Sequence, residues 1–261
     1  GRPVEIVVGY RHVDELQQKV AQRSYRVRTA DVIDLPPKIF MPLRWVELTE
    51  EQHKAYSEMK HRAMTEISGK HVSAQIAATV LMKLHSIVCG HATDEVGNVV
   101  DIPSNRITSL LELLEDYDGK ALIWAPFPHM LNKIATALEE EYGLESTVRY
   151  WGETSNEDRQ IAKRRLQEDP KCRWFVSNPS VGGEGNTLTA ANLVVYAANS
   201  WKNSERQQSE ARAHRIGQQH PVTYVDLAAR GTVDEKLIKA LRSKMDLAAL
   251  ISGDTIKEWL I

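Results

Sequence analysis

KALIWAPFPHMLNKIATALEEEYGLESTVRY, residues 120–150, decides the fold. Its run ALIW is apolar without a break, the pattern of a strand covered on both faces. The following HMLNKIATALEEEYG reads as a helix closed by Gly143, and STVRYW as the next strand. Strand, helix and strand in so short a span predict two parallel strands joined by a helical crossover.

The same rhythm continues outward. Downstream come a helix over 157–169, the strand CRWFVS at 172–177, a glycine-rich loop and the strand LVVYAA at 193–198. A helix then begins near Ser204, with Gln207 three residues on as a capping box, followed by the strand VTYVDLAA at 222–229 and a helix from Val233. Upstream, ITSLLELLEDYDG at 107–119 is an amphipathic helix closed by Gly119. This alternation predicts a doubly wound α/β domain over about residues 105–230. In front of it, Pro36 and Pro37 mark a boundary. LRWVEL at 43–48 alternates like a strand, and Thr49 with Gln52 forms a capping box opening a helix that Gly69 ends. SAQIAATVLMKLHSIVC at 73–89 is a buried helix stopping at Gly90, and HATDEVGNVVDIP at 91–103 a hairpin or loop.

With 33 basic and 35 acidic side chains in 261 residues the net charge is −2, so any nucleic-acid contact has to come from a local arrangement of charge. Cys89 and Cys172 have no metal-binding or disulfide-framework spacing, which points to a reducing compartment and no metal site. No apolar run reaches the roughly 18 residues of a membrane span, and no signal peptide opens the chain. An intracellular, soluble protein without membrane contact is expected. Because it begins at Gly1 without methionine, the chain reads as a fragment.

Three segments carry polar side chains suited to chemistry. In SERQQSEARAHR, residues 204–215, Gln208, Arg212 and Arg215 are spaced by four and three, so one helical face would present an amide and two guanidiniums, with Gly217 ending the helix. Forked guanidiniums suit phosphate oxygens, although a solvated face with intrahelical ion pairs is the plainer alternative. VGGEGNT at 181–187 can form an anion-binding nest from backbone amides or simply a tight connection; Glu184 opposes a phosphate there. In WGETSNEDR at 151–159, Ser155 or Asn156 caps a helix whose first amides, with Arg159, can meet a phosphate backbone. Trp201 is either a core edge or a stacking platform. The phosphate loop GxxxxGK[ST], a strand-terminal acidic pair and a nucleophile elbow do not occur. In any phosphoryl chemistry this chain supplies only part of a site.

Together these residues resemble the second RecA-like lobe of a superfamily-two helicase of the Swi/Snf type. QSEARAHRIGQQHPVTYVDLAARGTVDEKL at 208–237 carries the likeness, supported in order by VRTADVIDLPPK, LTEEQHKAY, KALIWAPF, YWGETSNEDR and GGEGNTLTAANLVVY with Trp201 behind it. The resemblance implies a RecA-like parallel sheet flanked by helices, in a motor that moves along double-stranded DNA on ATP with Mg²⁺, the nucleotide held mainly by an absent N-terminal lobe. It implies Arg212 and Arg215 as arginine fingers, and Gln208, Gly183 and Gly185 at the nucleotide. Gly152, Thr154, Ser155, Arg159, Asn186, Thr187 and Trp201 would face DNA, with Gly182 in the same coupling loop. By it, residues 1–37 are the tail of the first lobe and a linker, 38–103 a helical extension, 104–232 the lobe, and 233–261 a C-terminal helical brace. Ala211, Lys202-Asn203 and Glu184 depart from the family pattern and bear on the DNA contacts. The compact spacing suggests a bacterial or viral source, hence a bacterial or virus-infected cytoplasm, with a nucleus as the alternative. Competing functions are a non-catalytic nucleic-acid or protein-binding module that keeps the RecA-like fold, and a dinucleotide or nucleotide-sugar enzyme using the glycine loop.

Overall fold

A computed structural model of the chain describes residues 11–24, 34–67, 74–94, 96–181 and 186–243. Two compact units divide between Leu35 and Pro36. The first contains α1 (Val13–Ala21), an exposed helix with Asp14 and Glu15 in its opening turn and a Lys19–Glu15 ion pair at 2.7 Å.

The second unit is built on a parallel sheet. Its strands are β1 (Lys38–Phe40), β2 (Arg44–Trp45), β5 (Ala121–Trp124), β6 (Thr147–Tyr150), β7 (Trp174–Ser177), β8 (Leu193–Tyr196) and β9 (Val222–Ala228), and the hairpin of β3 (His91–Thr93) and β4 (Val99–Asp101) stands apart. The order is β1-β9-β8-β5-β7-β6, with β2 also on β9. Central β5 pairs with β7 and β8, Leu122 standing opposite Phe175 and Val194. Alternate side chains leave a strand on opposite faces, and each set has its own helices. On one face α4 (Arg106–Leu114) and α5 (Pro128–Tyr142) bring Leu110, Leu131 and Ile134 onto Ile123, Val176 and Val195. On the other, α6 (Asn156–Glu168) and α7 (Asn203–Ala213) bring Leu166 and Ala213 onto Trp124, Val194 and Tyr224. Burying each such side chain is worth about 1.5–3 kcal/mol.

The capping box of Thr49 and Gln52 forms: Thr49 Oγ1 accepts from the Gln52 amide and Gln52 Oε1 from the Thr49 amide, both at 3.2 Å. It opens α2 (Glu50–Ile67). The Gln52 side chain also reaches the Ile87 and Val88 carbonyls at 2.8 and 2.9 Å, closing α3 (Ala74–Val88). These helices share a core with Val233 of α8 (Val233–Arg242).

Four expectations are corrected. The helix after Ser104 ends at Leu114, where the Tyr117 amide turns back onto the Leu114 carbonyl, well before Gly119. LRWVEL keeps only Arg44 and Trp45 as strand, because its pairing with the end of β9 is that short. Ser204 does not cap: α7 already begins at Asn203, and Ser200 Oγ takes the Lys202 amide at 3.3 Å. The same helix stops at Ala213, so Arg215 lies beyond it and Gly217 (φ +100°) belongs to the following turn. Gln218 forces that stop, its Nε2 donating to the carbonyls of Ala213, Ala191 and Thr189 at 3.1, 3.0 and 3.2 Å. Gly69, Gly182, Gly183, Glu184, Gly185 and the tail beyond Ser243 lie outside the described residues.

Candidate functional site

The connection from β7 to β8 passes the last turn of α7, where the Leu188 amide donates to the Arg212 carbonyl at 3.1 Å. This brings Asn186 to the two arginines. Arg212 is 6% exposed, and its Nη1 and the Nη1 of Arg215 each donate to the Asn186 carbonyl at 3.5 Å. Bonds of that length are weak. Arg212 Nε, buried, has no hydrogen-bond partner among the described residues. Burial first, and then the like charge of Arg215, pull the Arg212 guanidinium below its ordinary range, yet a guanidinium stays cationic in proteins. Two cations so placed favour an anion between them. Gln208, one turn earlier on α7, is exposed. The helix-face spacing of the three residues therefore does not carry over intact; the two guanidiniums meet because the chain folds back at His214.

Asn186 is itself fixed. Its Nδ2 donates to Tyr150 Oη at 2.8 Å, and Tyr150 closes β6. The Arg159 guanidinium lies 5.6 Å from the Tyr150 ring centroid and donates to the carbonyls of Trp151 (3.1 Å) and Gly152 (3.5 Å). Thr154 Oγ1 accepts from the Trp151 amide at 3.1 Å, and Ser155 caps α6 by accepting from the Asp158 amide at 3.1 Å. Thr154 and Arg159 thus shape the 150–159 turn, while Gly152, Ser155 and Thr187 are exposed.

Sequence reasoning missed the anchor of α7. Arg206, 5% exposed, donates to Asp226 Oδ1 through Nη1, to Asn199 Oδ1 at 2.6 Å and to Glu210 Oε1 at 2.9 Å, and its guanidinium lies 3.5 Å from the Tyr196 ring centroid. A lone carboxylate in the apolar strand VTYVDLA was the available signal, since a buried charge demands a partner. A second buried pair, Arg106 Nη2 to Asp234 Oδ2 at 2.6 Å, joins the start of α4 to α8. Trp201 is half-buried and donates through Nε1 to His85 Nδ1 at 3.0 Å, which supports the core-edge reading over a free stacking platform. Among the described residues no group of three or more His, Cys, Asp or Glu side chains is placed to hold a metal ion, and no helix is long and apolar enough to cross a membrane.

Residues 105–217 match the helicase conserved C-terminal domain. The CHD3-type chromatin-remodeling factor PICKLE of Arabidopsis thaliana is 26% identical over 262 residues, covering 92% of this chain and 18% of PICKLE. The TATA-binding protein-associated factor MOT1 of Saccharomyces cerevisiae is 32% identical over 133 residues, covering 51% of this chain and 7% of MOT1. The chain is homologous to the SWI2/SNF2 chromatin-remodelling ATPases. Its fold is that of their RecA-like C-terminal lobe: the C-terminal part of the Fun30 ATPase domain superposes with a TM-score of 0.70 at 21% identity, covering 87% of this chain and 97% of that one. The Sulfolobus solfataricus SWI2/SNF2 ATPase core in complex with dsDNA superposes with a TM-score of 0.66 at 25% identity, covering 94% of this chain and 53% of that one. The chain spans less than a fifth of the length of these two curated relatives.

Proposed function

We propose that this SWI2/SNF2-type lobe is the second half of a DNA-dependent ATPase that travels along double-stranded DNA, completed by an N-terminal RecA-like lobe of the same protein. The observation that carries the reading is the meeting of Arg212 and Arg215 at the Asn186 carbonyl, with the buried Arg212 Nε lacking a partner among the described residues. A phosphate satisfies such donors. ATP, with Mg²⁺, would be held mainly by the first lobe, and this donor set fits its terminal phosphate. Arg212 and Arg215 would then neutralise charge that grows on the transferred phosphoryl, an effect worth about 10³ to 10⁵ in rate in related NTPases. Gln208, exposed one turn before Arg212, would border the nucleotide, as would Gly183 and Gly185.

The exposed turn at Gly152, the capped first turn of α6 at Ser155, and Thr187 offer backbone amides and hydroxyls for DNA phosphates. Thr154, Arg159 and Asn186 would act by holding that surface, and Trp201 by setting the turn before α7. Phosphate contacts make binding salt-dependent and largely indifferent to sequence. The setting would be wherever DNA lies, in a bacterial or virus-infected cytoplasm or in a nucleus. The test is the complete reading frame: ATP hydrolysis should rise several-fold with duplex DNA and fall back as salt is raised, while this lobe alone hydrolyses none. DNA-independent hydrolysis by the complete protein contradicts the reading.

A further inference from the structure

Trp201 does not end the polar chain it belongs to. An indole nitrogen can only donate, so His85 Nδ1, at 3.0 Å, is the acceptor and the His85 proton is on Nε2. That Nε2 faces Asp234 Oδ1 at 3.8 Å. Asp234 Oδ2 takes Arg106 Nη2 at 2.6 Å and the Ala229 amide at 3.1 Å, and Arg106 Nη1 donates to the carbonyls of Ala197 (2.6 Å) and Leu227 (3.2 Å). The line therefore leaves the β8 end at Ala197, crosses α4, α8 and α3, and returns to the same connection at Trp201. His85, Asp234 and Arg106 are all at most 1% exposed. The His85–Asp234 step is too long for a hydrogen bond, so His85 Nε2 and Asp234 Oδ1 have no hydrogen-bond partner among the described residues. The bonds on either side of it, from Trp201 to His85 and from Arg106 to Asp234, hold these side chains in place in a dry interior.

We propose that His85, on the helical extension, is the positioning residue for the Trp201 turn, and that through it the 38–103 segment sets how tightly the lobe engages duplex DNA. The ring holds Trp201 by one acceptor atom, in edge-to-face geometry at 5.9 Å between centroids and 78° between planes. The indole also packs against Leu237, Ala240 and Leu241 of α8, and apolar packing positions a side chain less sharply than a hydrogen bond does. The DNA half of this inference rests on the function proposed above; the positioning half does not.

The two halves separate experimentally. In this chain with ¹⁵N-labelled indoles, His85→Leu should move the Trp201 Nε1–H resonance upfield. His85→Asn, whose amide oxygen can stand where Nδ1 stood, should restore it in part. In the complete protein, His85→Leu and Trp201→Phe should each raise the DNA concentration for half-maximal ATPase by about tenfold, the scale of one buried hydrogen bond. The double variant should be no worse than either single one. An unmoved indole resonance overturns the positioning role, and so does full additivity of the two substitutions. A wild-type protein that DNA does not stimulate sinks the DNA reading and leaves the resonance test to judge His85 alone.

Discussion

The Asn186 carbonyl accepts from the Arg212 guanidinium at 3.5 Å while the same residue's side-chain amide donates to Tyr150 Oη at 2.8 Å. One asparagine thereby ties the end of β6, where the 150–159 turn begins, to the end of α7, where the arginines lie. A change at either end is felt at the other through a link two hydrogen bonds long.

Tyr150→Phe removes only the hydroxyl and leaves Asn186 Nδ2 buried without its partner. We expect a loss of about 1–3 kcal/mol, read as a lower urea midpoint at unchanged slope. DNA-stimulated ATPase of the complete protein should fall more than the unfolding data alone explain, because Asn186 then holds the Arg212 guanidinium less firmly.

Asp226 should give the chain a steep acid limb. Burial would raise its pKa, but the Arg206 charge and donors from Arg206, Asn199 and Arg242 outweigh burial and hold it below the usual aspartate range. A depressed folded pKa means stability that is complete above the unfolded value, near 4, and is lost as pH falls below it. Asp226→Asn should cost about 3–5 kcal/mol at neutral pH, since it leaves the Arg206 charge without its chief partner. It should also flatten unfolding profiles below about pH 4.

The histidines act higher on the scale. Burial pushes His85 down to about 4 and, with help from His129, does the same for His91. Between about 6.5 and these values the unfolded chain binds protons that the folded one refuses, so stability rises with pH across that window and is lost on acidification. For His85 alone the loss from pH 7 to 4 is about 3 kcal/mol. Denaturant midpoints measured at pH 7 and pH 5 should differ accordingly, and the difference should shrink in His85→Asn.

Much of the sheet was legible because its strands are short apolar runs punctuated by glycine: Gly143 (φ +91°) closes α5 as its spacing foretold. The Thr49–Gln52 box was legible for the same local reason, both partners being three residues apart. What depends on distant partners was not. Lys38–Phe40 is strand only because Val222–Tyr224 lies beside it, in a stretch expected to open the helical extension. Arg215 reads as helical by spacing, but Gln218, bonded to carbonyls at Thr189 and Ala191, pulls the chain out of the helix first. Arg106, Asp234 and His85 sit in unrelated stretches of sequence, and only the tertiary fold brings them together.

The most direct test of the account is single-turnover ATP hydrolysis by the complete protein carrying Arg212→Ala or Arg215→Ala, at saturating duplex DNA. Loss of transition-state charge stabilisation predicts a fall in the hydrolysis rate of about a thousandfold or more for each, with DNA affinity kept. Rates within about twofold of the unsubstituted protein would contradict it, for then the two guanidiniums at the Asn186 carbonyl would be structural only.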